Sequence, residues 1–160
     1  MLTDVDGVMT DGGVTFGADG RQAMTFSIRD GLGIRLWQHA GVRLGIVTGR
    51  ETPMVAQRAA DLDVEFVHQG VSDKLPVVKQ VAAEAGVPLD EVAYLGDDLP
   101  DLPAIRAVGL GVAVADAAAE VQAGADLVLA TPGGRGALRE LIEKLLNEQG
   151  KWDAVIAAFV

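Results

Sequence analysis

Four short stretches of the chain carry side chains able to move a phosphoryl group. They are Asp4-Val5-Asp6-Gly7, Thr48-Gly49-Arg50, the single Lys74, and Gly96-Asp97-Asp98-Leu99-Pro100-Asp101. Asp4 and Asp6 differ by two positions, so an extended backbone points both to one side, with Cα atoms about 6–7 Å apart. A magnesium ion prefers about six oxygens and takes few of them from protein. Asp4 and Asp97 can supply carboxylates to it, with water and phosphate completing the set. Such an ion keeps Asp4 ionised and offsets repulsion between carboxylate and phosphate. Asp6 has a different task, carrying a proton to the leaving oxygen and then taking one from the attacking water. Thr48 offers a hydroxyl to a phosphoryl oxygen, joined by N–H groups of the Gly49-Arg50 turn. Lys74 balances charge on the trigonal phosphoryl group. These are the parts needed for phosphoryl transfer through a carboxylate nucleophile.

For such distant residues to meet, each must sit at the end of a strand or the start of a helix on one side of a sheet. Leu2-Thr3 leads straight into the first acidic pair, so the strand there is very short. Residues 11–28 roughly alternate polar and apolar around Gly17-Ala18-Asp19-Gly20, which predicts a β-hairpin. Helices are expected over 31–40, 53–62, 74–85, 100–108, 118–123 and 135–147, with Gly41 and Gly86 ending the first and third. Strands are expected over 42–47, 65–68, 92–95, 110–115 and 127–130. Short apolar strands alternating with helices imply a parallel sheet covered on both faces, a three-layer, doubly wound α/β domain of Rossmann-like type. Ligands of such sheets bind beyond the carboxyl ends of the strands, which is where all four stretches would fall. The gap from Asp6 to Thr48 holds the hairpin and one helix, and that from Thr48 to Lys74 one helix and one strand. Neither leaves room for a cap domain, so the whole of 1–160 is expected to be a single domain with a flap at 11–28 and a tail at 150–160.

Composition narrows the partners. The chain has 160 residues, 49% of them hydrophobic, enough for a sound core and too apolar for disorder. A net charge of −10 and only 4% aromatics give neither a basic stripe nor a stacking platform for nucleic acid. No apolar run reaches the ~20 residues that span a bilayer, and no leader pattern is present, so a cytoplasmic protein is expected. The absence of cysteine removes disulfides and thiolate metal sites.

The four stretches, in this order, resemble the four motifs of the haloacid dehalogenase superfamily. More narrowly, Arg29-Asp30-Gly31, Gln69-Gly70-Val71-Ser72-Asp73-Lys74 and Pro132-Gly133-Gly134-Arg135-Gly136-Ala137 are similar to the 3-deoxy-D-manno-octulosonate 8-phosphate phosphatases. They also resemble nonulosonate 9-phosphate phosphatases and the phosphatase-like domain joined to some acylneuraminate cytidylyltransferases. The resemblance implies Asp4 as nucleophile, Asp6 as acid and base, and magnesium held by Asp4, Asp97 and the backbone carbonyl of Asp6. Thr48, Gly49, Arg50 and Lys74 would hold the phosphate, and Asp98 and Asp101 would orient metal waters. It further implies a longer first strand than Met1-Leu2-Thr3 supplies, and a homotetramer whose hairpins pair between subunits and whose neighbours close each site. Arg29, Arg50 and Arg135 would then meet a substrate carboxylate, since Arg binds carboxylates through two parallel bonds. A phosphorylated sugar acid is the expected substrate.

Plainer readings stand beside these. The Asp97–Asp101 cluster can be a helix cap, Gly133-Gly134 a simple connection, and Arg29 and Arg135 surface ion-pair partners. An EF-hand at Asp4 fails for want of ligands at Val8 and Thr15. Trp152, Val155, Ile156, Phe159 and Val160 form an apolar stripe at helical spacing and are expected to pack. Functionally, a sugar-acid phosphatase competes with an enzyme for macromolecular phosphoesters and with a noncatalytic oligomerisation module. A module would have no reason to keep Asp6 and Lys74 together.

Overall fold

In the computed structural model, which describes residues 1–159, β1 (Leu2–Thr3) enters the centre of the sheet and ends at the first acidic pair. The chain then forms β2 (Thr15–Phe16), β3 (Gln22–Ala23), α1 (Ile28–His39), β4 (Gly45–Val47), α2 (Pro53–Asp61) and β5 (Phe66–His68). It continues through α3 (Lys74–Ala85), β6 (Ala93–Gly96), α4 (Leu102–Ile105) and β7 (Leu110–Ala113), and closes with α5 (Ala119–Gly124), β8 (Leu127–Val128), α6 (Ala137–Glu148) and α7 (Trp152–Ala157). Six strands pair in the order β5-β4-β1-β6-β7-β8, all parallel. The strand order changes direction at β1, which lies between β4 and β6 and places Asp4 at the crevice where such sheets bind ligands.

The core explains why so short a β1 holds. Leu2 pairs with Gly45 on one side and Tyr94 on the other. Val5, Val47, Leu95 and Val112 are fully buried in the sheet and its first turn. α1 packs on α6, and α3 packs on α4, which packs on α5. Each apolar side chain buried between such layers contributes about 1.5–3 kcal/mol. Leu138, Leu141, Ile142 and Leu146 on α6 supply a continuous buried stripe. α7 lies against α6, with the Arg139 guanidinium over the Trp152 ring; of the expected C-terminal stripe Val155 is buried, Trp152 and Ile156 are half-buried and Phe159 is exposed, so it packs only in part, and Val160 lies outside the described residues.

Several elements differ from expectation for local reasons. The hairpin pairs only Thr15 with Ala23 and Phe16 with Gln22, around a turn closed by Gly17 N–H to the Arg21 carbonyl. Ile28 belongs to α1 rather than to the hairpin, because the Ser27 hydroxyl accepts the Asp30 N–H and starts the helix there. The helix expected over 100–108 is divided. Asp98 and Asp101 form reciprocal caps around the 3₁₀ turn Leu99–Asp101, and α4 follows for one turn only. Among the described residues no helix is long and apolar enough to cross a membrane.

Candidate active site

Backbone ladders carry three of the key residues to one rim. The Asp4 N–H donates to the Leu95 carbonyl at 3.0 Å, extending the β1–β6 pairing by one residue. The Thr48 N–H donates to the His68 carbonyl at 2.9 Å, doing the same between β4 and β5. Asp97 follows the last residue of β6, and Lys74 opens α3. These side chains line a cleft of about 440 Å³ together with Asp6, Arg50 and Asp101.

The floor of the cleft is a buried charge cluster. Lys74 Nζ lies 2.8 Å from Asp4 Oδ2 and 2.6 Å from Asp101 Oδ1, with all three residues buried. Tyr94 Oη donates to the same Asp101 oxygen at 2.7 Å, and the Asp97 and Asp98 N–H groups donate to the other at 3.1 and 3.3 Å. Burial first, then the charge of Asp101, raises the Asp4 carboxyl to about 6 despite the opposing Lys74. The same two causes, with Asp4 and Asp98 added, raise Asp97 to about 7. Burial alone would lower Lys74, but the charges of Asp4 and Asp101 outweigh it and keep the ammonium above its ordinary range. An acidic pair disfavoured in this way is stabilised by a cation.

The donor set fits a hard divalent ion. Carboxylate oxygens of Asp4, Asp97 and Asp101 lie within 4.8 Å of one another. Asp4 Oδ1 and Asp97 Oδ1 are buried and have no hydrogen-bond partner, as does the Thr48 hydroxyl. Oxygen-only donors suit magnesium. Asp101 is not free to join them, because both its oxygens already accept two donors each. It anchors Lys74 and folds the 97–101 turn. Asp98 is exposed and caps the Leu99 N–H at 2.8 Å. The Asp6 carboxylate is not among the three clustered carboxylates and accepts Arg50 Nη1 at 2.9 Å.

The loop after Asp4 is packed too tightly for ordinary side chains. Gly7 has φ of +80°, and a Cβ there would overlap the Asp97 carboxylate. The Val8, Met9 and Thr10 N–H groups all turn back to the Val5 carbonyl. A second loop braces this one. Gly134 N–H donates to the Val8 carbonyl at 2.8 Å, and a Cβ on Gly133 would overlap the Gly7 carbonyl. The Gly133-Gly134 pair therefore permits close approach to the acidic loop.

Arg29 and Arg135 are not brought to the cleft by this chain. Both are exposed; Arg135 reaches toward Asp11 at 4.0 Å, and Arg29 lies beside Gly136. Sequence reasoning missed three contributors. Tyr94 is the chain's single tyrosine and sits inside an apolar strand, a position where a hydroxyl needs a partner. Asp30, almost fully buried, accepts the Arg139 N–H at 2.8 Å and so caps α6, whose own Gly136 has no side chain to do it. Gln22 of the hairpin accepts Arg50 Nη2 at 2.8 Å, with no signal in its local sequence.

Comparison with known proteins agrees with this geometry. Residues 63–141 match the haloacid dehalogenase-like hydrolase family. The 3-deoxy-D-manno-octulosonate 8-phosphate phosphatase of Haemophilus influenzae is 41% identical over 151 residues, covering 94% of this chain and 84% of that protein. The crystal structure of the Moraxella catarrhalis phosphatase of that name, in complex with magnesium, phosphate and KDO, superposes with a TM-score of 0.96 at 38% identity, over 99% of this chain and 91% of that one. The cobalt-bound Haemophilus influenzae enzyme gives 0.91 at 41%, over 94% and 88%. Similarity of this extent, on a sheet that delivers the same four motifs to one rim, means that the chain belongs to the haloacid dehalogenase-like hydrolases, in the family of the 3-deoxy-D-manno-octulosonate 8-phosphate phosphatases.

Proposed function

We propose that residues 1–160 form one phosphatase domain, acting in the cytoplasm, that hydrolyses the phosphomonoester of a small acidic sugar of the 3-deoxy-D-manno-octulosonate 8-phosphate kind. The observation that carries the reading is the Asp4 carboxylate, buried beside Lys74 and Asp97 in a cleft that Thr48 also lines, with one of its oxygens unpartnered. Asp4 attacks phosphorus, the bond from phosphorus to the sugar oxygen breaks, and Asp6 gives its proton to the leaving oxygen. Water then attacks the phosphoryl-aspartate, Asp6 takes its proton, and inorganic phosphate leaves with Asp4 restored. Lys74 and the Thr48 hydroxyl hold the phosphoryl oxygens throughout. Magnesium, when bound by Asp4, Asp97 and the Asp6 carbonyl, supplies the positive charge that lets an anionic nucleophile approach an anionic substrate.

The substrate assignment draws on the relatives, which are phosphatases of this sugar acid. The wall of the site belongs to the same proposal. A homotetramer, with the 11–28 hairpins as flaps between subunits, would bring Arg29 and Arg135 to a neighbour's cleft. The half-exposed Val14 and the more exposed Phe16 on the hairpin support such pairing. Hydrolysis of p-nitrophenyl phosphate and of the octulosonate 8-phosphate with magnesium tests the reading. Chelator is expected to abolish both activities, and Asp4→Asn to lower them by roughly four orders of magnitude or more. Substantial turnover by Asp4→Asn contradicts the mechanism, and turnover of the aryl phosphate alone contradicts the substrate.

A further inference from the structure

We infer that Gln22, the first residue of β3 in the hairpin, is a positioning residue that holds the Arg50 guanidinium across the mouth of the cleft, where it meets an anionic oxygen of the substrate. The inference rests on the phosphatase reading and deepens it. Arg50 follows the Thr48-Gly49 turn and reaches both sides of the opening. Nη1 donates to Asp6 Oδ1 at 2.9 Å and Nη2 to Gln22 Oε1 at 2.8 Å. A guanidinium has five donors in a fixed plane, so two outer partners set the orientation of the whole fork. Asp6 fixes it from the floor and Gln22 from the flap.

The arrangement is specific to these groups. Gln22 is paired with Phe16 in the hairpin register, so its place is set by β2 as well as β3. The hairpin segment reaches the body through few side-chain contacts. Besides Gln22, Met24 Sδ accepts the Thr52 hydroxyl at 3.6 Å and the Phe26 ring lies under Arg58. The Arg50 side chain is about a third exposed, and without Gln22 its fork would rotate about the single contact to Asp6. An amide oxygen also serves better than a carboxylate in this place. It orients the fork without adding a second negative charge beside the Asp6 carboxylate that already pairs with Nη1. The incoming anion is a phosphoryl oxygen or the sugar carboxylate, two sources of one chemistry.

The test is a double-mutant cycle between Gln22→Met, which keeps side-chain length but removes the acceptor, and Arg50→Ala. Steady-state kinetics are read with p-nitrophenyl phosphate and with the octulosonate phosphate, and inorganic phosphate binding with magnesium is read by calorimetry. Gln22→Met is expected to raise KM roughly 3–10-fold, the size of one ordinary hydrogen bond at a partly exposed site, with kcat falling less than KM rises. The effect is expected to vanish in the Arg50→Ala background. A rise for both substrates and weaker phosphate binding assign Arg50 to the phosphoryl group; a rise for the sugar acid alone assigns it to the carboxylate. Kinetics and phosphate binding identical to wild type overturn the inference, as does a Gln22→Met effect that persists undiminished without Arg50. If wild type turns over p-nitrophenyl phosphate and not the sugar acid, the substrate reading fails while the cycle on the aryl phosphate still decides the role of Gln22.

Discussion

On the floor of the cleft, the Lys74 side chain is 3% exposed and lies between two carboxylates, with Tyr94 and two backbone N–H groups completing the partners of Asp101. At the rim, the Arg50 side chain is 34% exposed, and outside this chain's own cleft that of Arg135 is 70% exposed. Floor residues are fixed by sheet ladders and by one another; rim residues are held by a hairpin of two paired positions and by loops. Chemistry common to a large superfamily is assigned to the floor, where fixed charges are worth most. Under the proposed function, substrate choice would fall to the exposed residues, where parts can vary without disturbing the core.

The largest way to break this contrast is to remove the central cation. Lys74→Met leaves Asp4 and Asp101 buried without their partner. It is expected to lower stability by about 3–5 kcal/mol, read by denaturant unfolding. Loss of one preorganised donor lowers kcat by roughly 10²–10³ beyond that. Unchanged stability would mean that the floor is not an electrostatic unit.

The next effect is linked to pH and metal. In the folded chain Asp4 and Asp97 release protons only near 6 and 7, whereas their ordinary value is 3.8. Between those values the folded state binds more protons than the unfolded one, so stability falls as pH rises from about 4 to about 7. With chelator present, the melting temperature is expected to decline across that window. Magnesium restores it at pH 8 far more than at pH 5, and Asp97→Asn flattens the decline. A melting temperature indifferent to magnesium at pH 8 counts against the carboxylate pair as the ion's seat.

Smaller effects sharpen the comparison. Tyr94→Phe removes one of the two donors to Asp101 Oδ1 and is expected to cost about 0.5–1.5 kcal/mol, with Lys74 still in place. Arg29→Ala and Arg135→Ala, on the exposed surface outside this chain's own cleft, are expected to change stability by less than about 0.5 kcal/mol. They are expected to raise KM more for the octulosonate phosphate than for p-nitrophenyl phosphate. Equal effects on both substrates would remove these arginines from carboxylate recognition.

The floor was largely legible in the sequence and the rim was not. α3 begins at Lys74 and ends before Gly86 as expected, because a polar entry, an apolar stripe and a closing glycine are local signals. Asp4, Thr48 and Asp97 fall at strand ends because a parallel sheet leaves them no other place. For Asp101, spacing shows that an acid lies near Asp4 and Asp97 but not that its oxygens accept Lys74, Tyr94 and two backbone N–H groups. Asp30 capping α6 spans 109 positions, and Gln22 meeting Arg50 spans 28. Contacts of that range follow from how α1 meets α6 and how the hairpin folds back, which no local pattern encodes. The 42–47 strand shortens to Gly45–Val47 because Val42 still closes the end of α1, donating to the Trp37 carbonyl.

The central claim is that Asp4 carries the phosphoryl group, and the most direct measurement is peptide mapping by mass spectrometry of protein acid-quenched during turnover with magnesium. The account predicts a phosphoryl adduct on the peptide containing Asp4, located at Asp4 by fragmentation and absent from Asp4→Asn. An adduct on Asp6 or elsewhere, or none in wild-type protein while Asp4→Asn continues to turn over, would contradict it.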